Sequence, residues 1–183
     1  MENFSTESEI RSIDSVCEMY DIKHYTLNVD GSINVDGNVS FFAQELKQLP
    51  LKFSNVSGDF DCSSNKLTTL EGSPKHVGGN FDCQKNLLIT LEHSPENVEG
   101  NFNCNDNQIS SLKYCTTDVG GSLFFTGNEL PKTFVESFSL LNDEEKRVFL
   151  RYQDYEDIWT DGFSIENCED FIHGKDGIKE GLL

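Results

Sequence analysis

The sequence repeats itself with a period of 21 residues. Val35, Val56, Val77, Val98 and Val119 are spaced by 21 residues each time. Each valine opens the phrase V-x-G-x-φ-x-φ-x-x-N-x-L, where φ is apolar, except that Gln44 replaces the asparagine in the first copy and Ile109 the leucine in the fourth. A unit this short cannot bury an apolar face alone, so successive units must stack on one another. The period therefore predicts a solenoid of five rungs over residues 35–130.

Each repeat combines a strand pattern with a bend. In the second copy Phe60 and Cys62 alternate with Asp59, Asp61 and Ser63, so one set is expected to face inward and the other outward. The L-x-x-L spacing that follows is typical of leucine-rich repeats. We therefore predict an α/β repeat solenoid. It is a short leucine-rich repeat array of five 21-residue rungs, with a parallel strand ladder and helical N- and C-terminal caps.

Two polar or small columns recur at the same spacing. The asparagine column is expected to satisfy backbone groups inside a buried bend. It consists of Asn65, Asn86, Asn107 and Asn128. The glycine column predicts a tight bend entering each strand. It consists of Gly58, Gly79, Gly100 and Gly121.

The flanking segments are expected to cover the open ends of the solenoid. Residues 1–34 predict a capping helix, begun by a Thr6–Glu9 capping box, and a hairpin that turns at Asp30-Gly31. Residues 131–183 predict a helical cap in which Asn142 is a helix N-cap and the tail after residue 173 is frayed. An apolar stripe is expected to pack against the last rung. It comprises Val148, Phe149, Tyr152 and Trp159.

The formal net charge of −18 limits the possible partners. Acids outnumber bases by seven to two in residues 1–34, eleven to six in 35–128 and fourteen to six in 129–183. Direct binding to nucleic acid or to an anionic membrane is disfavoured, because phosphates would be repelled. No segment approaches the roughly 20 apolar residues that span a bilayer, and no signal peptide is visible, so we expect a cytoplasmic protein.

The sequence contains no convincing catalytic or metal-binding constellation. Cys62, Cys83 and Cys104 share one repeat position and predict a buried column, which cannot wrap a tetrahedral ion. Hard cations such as calcium bind carboxylates like those of Asp59, Asp61 and Asp82, but a flat strand face offers too few ligands for a calcium site. We expect no metal, no cofactor and no enzymatic activity.

The chain resembles leucine-rich repeat proteins encoded by large tailed bacteriophages. The resemblance runs from about Ser8 to Trp159 and is carried by KHYTLNVDGSINVDGNV, by the repeated V-G-G-N-F-D-C-x-x-N-x-L-x-x-L-E-x-S-P and by LNDEEKRVFLRYQDYEDIW. It implies an origin in the cytoplasm of an infected bacterium and a role in binding host or phage proteins. The repeat core is also similar to that of secreted bacterial ubiquitin-ligase effectors, but Cys168 has no matching catalytic motif.

The candidate site is therefore the exposed face of the strand ladder, which is polar, rich in amides and mildly acidic. Its partner-binding residues are predicted to be Phe42, Asp59, Asp61, Asn80, Asp82, Asn101, Asn103, Asn105 and Phe124. Both aromatics either anchor a partner or pack under the caps. The first functional hypothesis is a module that binds a host protein and inhibits a bacterial defence or housekeeping factor. The alternative is an acidic DNA mimic that inhibits a nucleic-acid-binding host protein.

Overall fold

The computed structural model describes residues 7–116, 118–153, 158–159, 162–174 and 177–180; the side chains of residues 7–11 and of Glu180 lie outside the described set. The chain forms a parallel β-solenoid of about four turns with helices at its ends, which confirms the predicted repeat architecture. Within the described repeats the return segments are turns rather than helices, so the helices lie only in the flanking segments.

Each repeat contributes two short strands, whereas the sequence pattern predicted only one. The valine column forms a first sheet, which the sequence analysis missed. Its strands, in spatial order, are β1 (Tyr25–Leu27), β2 (Ile33–Val35), β4 (Phe53–Val56), β6 (His76–Val77), β8 (Asn97–Val98) and β10 (Asp118–Val119).

The predicted ladder forms a second, entirely parallel sheet. Its strands are β3 (Val39–Ser40), β5 (Phe60–Asp61), β7 (Phe81–Asp82), β9 (Phe102–Asn103) and β11 (Leu123–Phe124). Paired residues are one period apart, as in Phe60 opposite Phe81 and Asp61 opposite Asp82. The 21-residue period of the sequence therefore sets the register in which neighbouring strands pair.

The core lies between the two sheets and runs the length of the solenoid. Phe60, Phe81 and Phe102 are fully buried, and their rings stack with centroids 5.6 and 5.2 Å apart. The three cysteines of the predicted column are equally buried, as are Leu67, Leu70, Leu88 and Leu91 after the bends. Identical side chains thus meet identical neighbours on each turn, which lets one packing solution repeat.

The glycine column serves close packing between turns. The bend before each second-sheet strand is present, but Gly79 does not have a positive φ. A Cβ atom at Gly79 would lie 2.8 Å from the backbone nitrogen of Asp59 and 2.9 Å from the carbonyl carbon of Gly58. Glycine is therefore required by the approach of the preceding turn, not by backbone conformation.

The N-terminal cap consists of α1 (Glu7–Met19) and the β1–β2 hairpin. Cys17 and Ile22 are buried, and the ring of Tyr20 meets that of Phe41 edge-on at 4.7 Å. The antiparallel hairpin pairs Tyr25 with Val35, which confirms the predicted hairpin. The predicted capping box at Thr6 and Glu9 lies outside the described side chains.

The C-terminal cap consists of α2 (Lys132–Ser139), α3 (Asp143–Tyr152), α4 (Ile165–His173) and a short 3-10 helix (Ile178–Glu180). Asn142 caps α3 through a complete capping box with Glu145, as predicted. Tyr152 is 41% exposed, so its predicted place in the buried stripe is wrong. The frayed tail is also wrong for residues 177–180, since Ile178 is buried.

None of the helices in the described part of the chain is long and apolar enough to cross a membrane.

Candidate interaction surface

The outward side chains of the second sheet form three columns, which we call the strand face. The first column is Asn38, Asp59, Asn80, Asn101 and Ser122; the second is Ser40, Asp61, Asp82, Asn103 and Phe124; the third is Phe42, Ser63, Gln84, Asn105 and Thr126. All are at least partly exposed except Ser63, which is buried against the Asp61 carboxylate. The structure thus brings all nine predicted site residues to one surface.

The first column is a hydrogen-bonded ladder that the sequence analysis did not foresee. A side-chain oxygen on each turn accepts the backbone N–H of the equivalent residue on the next turn. Asp59 N donates to Asn38 Oδ1 at 2.9 Å, Asn80 N to Asp59 Oδ1 at 2.6 Å, and Asn101 N to Asn80 Oδ1 at 2.9 Å. Asp59, Asn80 and Asn101 therefore hold the turns together besides presenting polar groups to solvent.

The second column places two carboxylates side by side. Asp61 and Asp82 are register partners, and both are half-buried. Asp82 accepts hydrogen bonds from the Gln84 backbone at 3.0 Å and from Asn103 Nδ2 at 3.3 Å. Burial raises the pKa of the Asp82 carboxyl and the charge of Asp61 adds to that rise, while the hydrogen bonds oppose it.

The two aromatics of the strand face are exposed at opposite ends of the second sheet. Phe42 is 56% exposed beside β3, and Phe124 is 44% exposed on β11. The alternative that they pack under the caps is therefore wrong. Exposed aromatic rings on an otherwise polar surface are the side chains that most often anchor a partner.

The buried asparagine column fulfils its predicted role behind this face. Asn107 donates to the carbonyls of Cys83, Cys104 and Asn105 at 3.1–3.2 Å and accepts from Leu88 N at 3.1 Å. The residue before each asparagine is left-handed, with φ between 54° and 72°, although only Gly127 in that column is a glycine. Gln44 in the first repeat is exposed and bonds only to the Phe42 carbonyl through its side chain.

The cysteine column contains no activated thiol. Burial raises the pKa of the Cys62, Cys83 and Cys104 thiols, and that of Cys115 to about 12. A protonated, inaccessible thiol is a poor nucleophile and a poor metal ligand. No group of three potential metal-ligating side chains occurs among the described residues. The absence of a metal, a cofactor and an activity stays a prediction.

Within the repeats, two exposed aliphatic residues escaped the sequence analysis. Leu87 is 43% and Ile89 63% exposed, next to the strand face on the segment that follows the asparagine bend. The corresponding residues on the previous turn are Lys66 and Thr68. Comparison of the repeats position by position would have singled out this local loss of polarity.

The return segments on the opposite side enclose a groove of about 700 Å³. Leu51, Ser73 and His93 lie among its lining residues, which come from three successive turns. The buried hydroxyls of Ser73 and Ser94 have no hydrogen-bond partner among the described residues. Residues of both charges line the groove: Lys75 pairs with Glu96 at 3.2 Å, and His93 lies beside Glu92 at 4.0 Å.

These features define the class of the protein: a short parallel β-solenoid, capped by helices, whose second sheet presents a polar and acidic strand face. Comparison with protein-family models, with curated proteins and with solved structures gives no match.

Proposed function

We propose that this chain is a protein-interaction module that binds a host protein during bacteriophage infection. Binding by the strand face would inhibit a bacterial defence or housekeeping factor in the host cytoplasm. The proposal combines the resemblance of the sequence to phage repeat proteins with one structural observation. That observation is the pair of exposed aromatics, Phe42 and Phe124, at the two ends of a regular polar face.

The backbone of the strand face supports this role. Each turn is tied to the next by strand pairing and by the first-column ladder, as in the 2.8 Å bond from Ser122 N to Asn101 Oδ1. Side chains projecting from such a scaffold keep fixed spacings. Less conformational entropy is then lost on binding than from a mobile loop.

The acidity of the chain favours a basic partner and supports a second candidate function, mimicry of DNA. The net charge is −18, and Asp59, Asp61 and Asp82 lie together on the strand face. A mimic would occupy a groove that normally holds nucleic acid. However, amides replace carboxylates at Asn80, Asn101 and Asn103, so the charges on this face do not follow a regular, phosphate-like spacing.

The test is a comparison of two combined variants. The strand-face variant carries Asp59→Asn, Asp82→Asn and Phe124→Ala; asparagine is chosen at 59 because Asn80 and Asn101 show that it preserves the ladder acceptor. The matched control carries Glu71→Ala and Glu92→Ala, two exposed acids of the return segments. The partner is first captured from a lysate of phage-infected bacteria and purified, and binding is then measured by calorimetry.

We expect the strand-face variant to lose affinity and the control to retain it. Truncation of Phe124 alone should cost about 2 kcal/mol if it is a central anchor. Both variants must retain the circular dichroism spectrum of the parent protein. Loss of binding by the return-segment variant, with binding by the strand-face variant intact, would refute the assignment.

A further inference from the structure

No strand of the described chain pairs with the N-terminal edge of the second sheet. In the first sheet β1 pairs with β2 and so adds a strand beyond the first repeat, giving six strands. The second sheet has five strands and ends at β3. One turn of the solenoid therefore presents a sheet edge at which no strand of the described chain is paired.

The backbone of Ser40 has unused hydrogen-bonding capacity at this edge. Val39 N donates to Asp59 O at 2.9 Å and Phe41 N to Asp61 O at 2.7 Å, so these two residues bond to β5. In a parallel strand the intervening residue directs its N–H and C=O to the opposite side. Ser40 is exposed, and no described residue bonds to its backbone groups.

At the last strand of the first sheet, β10, a side chain of the C-terminal cap bonds to the backbone. There Arg147 of α3 donates from Nε to Val119 O at 2.9 Å and from Nη2 to Gly120 O at 3.1 Å. Those carbonyls are satisfied by the cap. The last strand of the first sheet is thus covered by a side chain, whereas no described side chain bonds to the backbone of Ser40 at the β3 edge.

The surroundings of β3 favour a basic and partly apolar occupant. Phe42 projects on the same face as Ser40 and is 56% exposed. Asp61 lies opposite Ser40 on the next strand. Of the six acids between residues 12 and 47, Asp21, Asp30 and Glu45 pair with lysines, while Asp14, Glu18 and Asp36 form no ion pair with a described residue.

We infer that the β3 edge accepts an extended, lysine- or arginine-rich segment of the partner protein as an added strand. Backbone groups of the segment would pair with Ser40, one of its apolar side chains would cover Phe42, and a basic side chain would approach Asp61. This inference rests on the proposed function and specifies the class of partner. A second copy of the chain is disfavoured as the occupant, because both molecules carry a charge of −18.

The experiment uses an end-capped synthetic hexapeptide of alternating lysine and valine, with binding to the full chain measured by fluorescence polarisation. Its comparison peptide carries N-methyl groups on alternate amides, which leaves the charge intact but removes strand pairing. Ser40→Pro removes the edge N–H, a change that edge strands tolerate. Phe42→Ala removes the aromatic contact, and Ile89→Ala, at a residue that is 63% exposed, is the matched control.

We expect N-methylation, Ser40→Pro and Phe42→Ala each to weaken binding about tenfold, and Ile89→Ala to change it less than about twofold. Equal binding of the two peptides would overturn the inference, because it would show attraction by charge alone. Because methylation leaves the protein unaltered, this comparison stands even if Ser40→Pro does not fold.

Two further outcomes also decide against the inference. A dimer in sedimentation that Ser40→Pro dissociates would assign the edge to a second copy. A captured host partner whose binding needs the strand-face residues Asp59, Asp82 and Phe124 but is unaffected by Ser40→Pro would refute strand addition while leaving the proposed function intact.

Discussion

At the scale of single residues, the same amide side chain performs two different tasks in this solenoid. Asn107 is 7% exposed and forms four hydrogen bonds with backbone groups inside the bend. Asn103 is half-buried on the strand face, where it accepts from Asn105 N at 3.2 Å and donates to Asp82 at 3.3 Å. Water can replace partners at the strand face but not inside the bend.

Substitution of these two asparagines should therefore have unequal effects. Asn107→Ala leaves buried carbonyls without a donor, so we expect the free energy of unfolding to fall by about 1–3 kcal/mol. Asn103→Ala should lower it by no more than about 0.5 kcal/mol. Urea unfolding, followed by circular dichroism, measures both values. Equal midpoints and slopes for the two variants would contradict the assigned roles.

At the scale of elements, the strand face carries an electrostatic cost where β5 meets β7. Stacking with a 21-residue period places Asp61 against Asp82, and burial raises the pKa of Asp82. On the next turn the equivalent residue is Asn103, whose Oδ1 accepts from Asn105 N just as Asp82 Oδ1 accepts from Gln84 N. The second column thus accommodates aspartate or asparagine at this position, and of the two only aspartate titrates.

The raised pKa makes stability depend on pH in a defined direction. The folded protein holds the Asp82 proton more tightly than the unfolded chain does. The contribution of this residue to stability therefore decreases as pH rises through its titration range. Asp82→Asn removes that contribution, so the stability of the variant relative to the parent should increase between about pH 4 and pH 7.

Thermal unfolding of both proteins across this pH range measures the difference. Comparing the two curves cancels the titration of carboxyls remote from Asp82, including Glu145, whose pKa is lowered chiefly by its hydrogen bond with Lys179. If the stability of Asp82→Asn relative to the parent instead decreases as pH rises, hydrogen bonds to the Asp82 carboxylate outweigh burial in their effect on its pKa.

At the scale of the whole molecule, charge and shape make separate contributions to the proposed binding. The charge of −18 acts over a distance that salt limits to about 8 Å at physiological ionic strength. The exposed aromatics act only on contact. Charge is therefore expected to govern how fast a basic partner arrives, and the aromatics how long it stays.

Raising the salt concentration should slow association with the captured partner and change its dissociation rate little. Phe124→Ala should accelerate dissociation at every salt concentration. Surface plasmon resonance over a series of salt concentrations resolves the two rates. A dissociation rate that rises steeply with salt and is insensitive to Phe124→Ala would instead favour DNA mimicry.

The sequence alone determined the period, the inward alternation and the role of the asparagine column. These follow from local rules, because a repeating unit must place equivalent residues in equivalent surroundings. Phe60, Phe81 and Phe102 could be assigned to the core from their spacing alone. The strand face could likewise be listed residue by residue, since outward positions are simply those that alternate with the core.

The tertiary structure decided what depends on contacts between turns and between elements. The first sheet was missed because the valine is the one apolar residue that recurs in its repeat strands, so no apolar and polar residues alternate there as they do around Phe60 and Cys62. Glycine is required at position 79 because the backbone of the preceding turn lies where a Cβ atom would be. The exposure of Phe42 and Phe124 depends on where the caps end. The open edge at Ser40 arises because the hairpin extends one sheet and not the other, a difference that no local sequence pattern records.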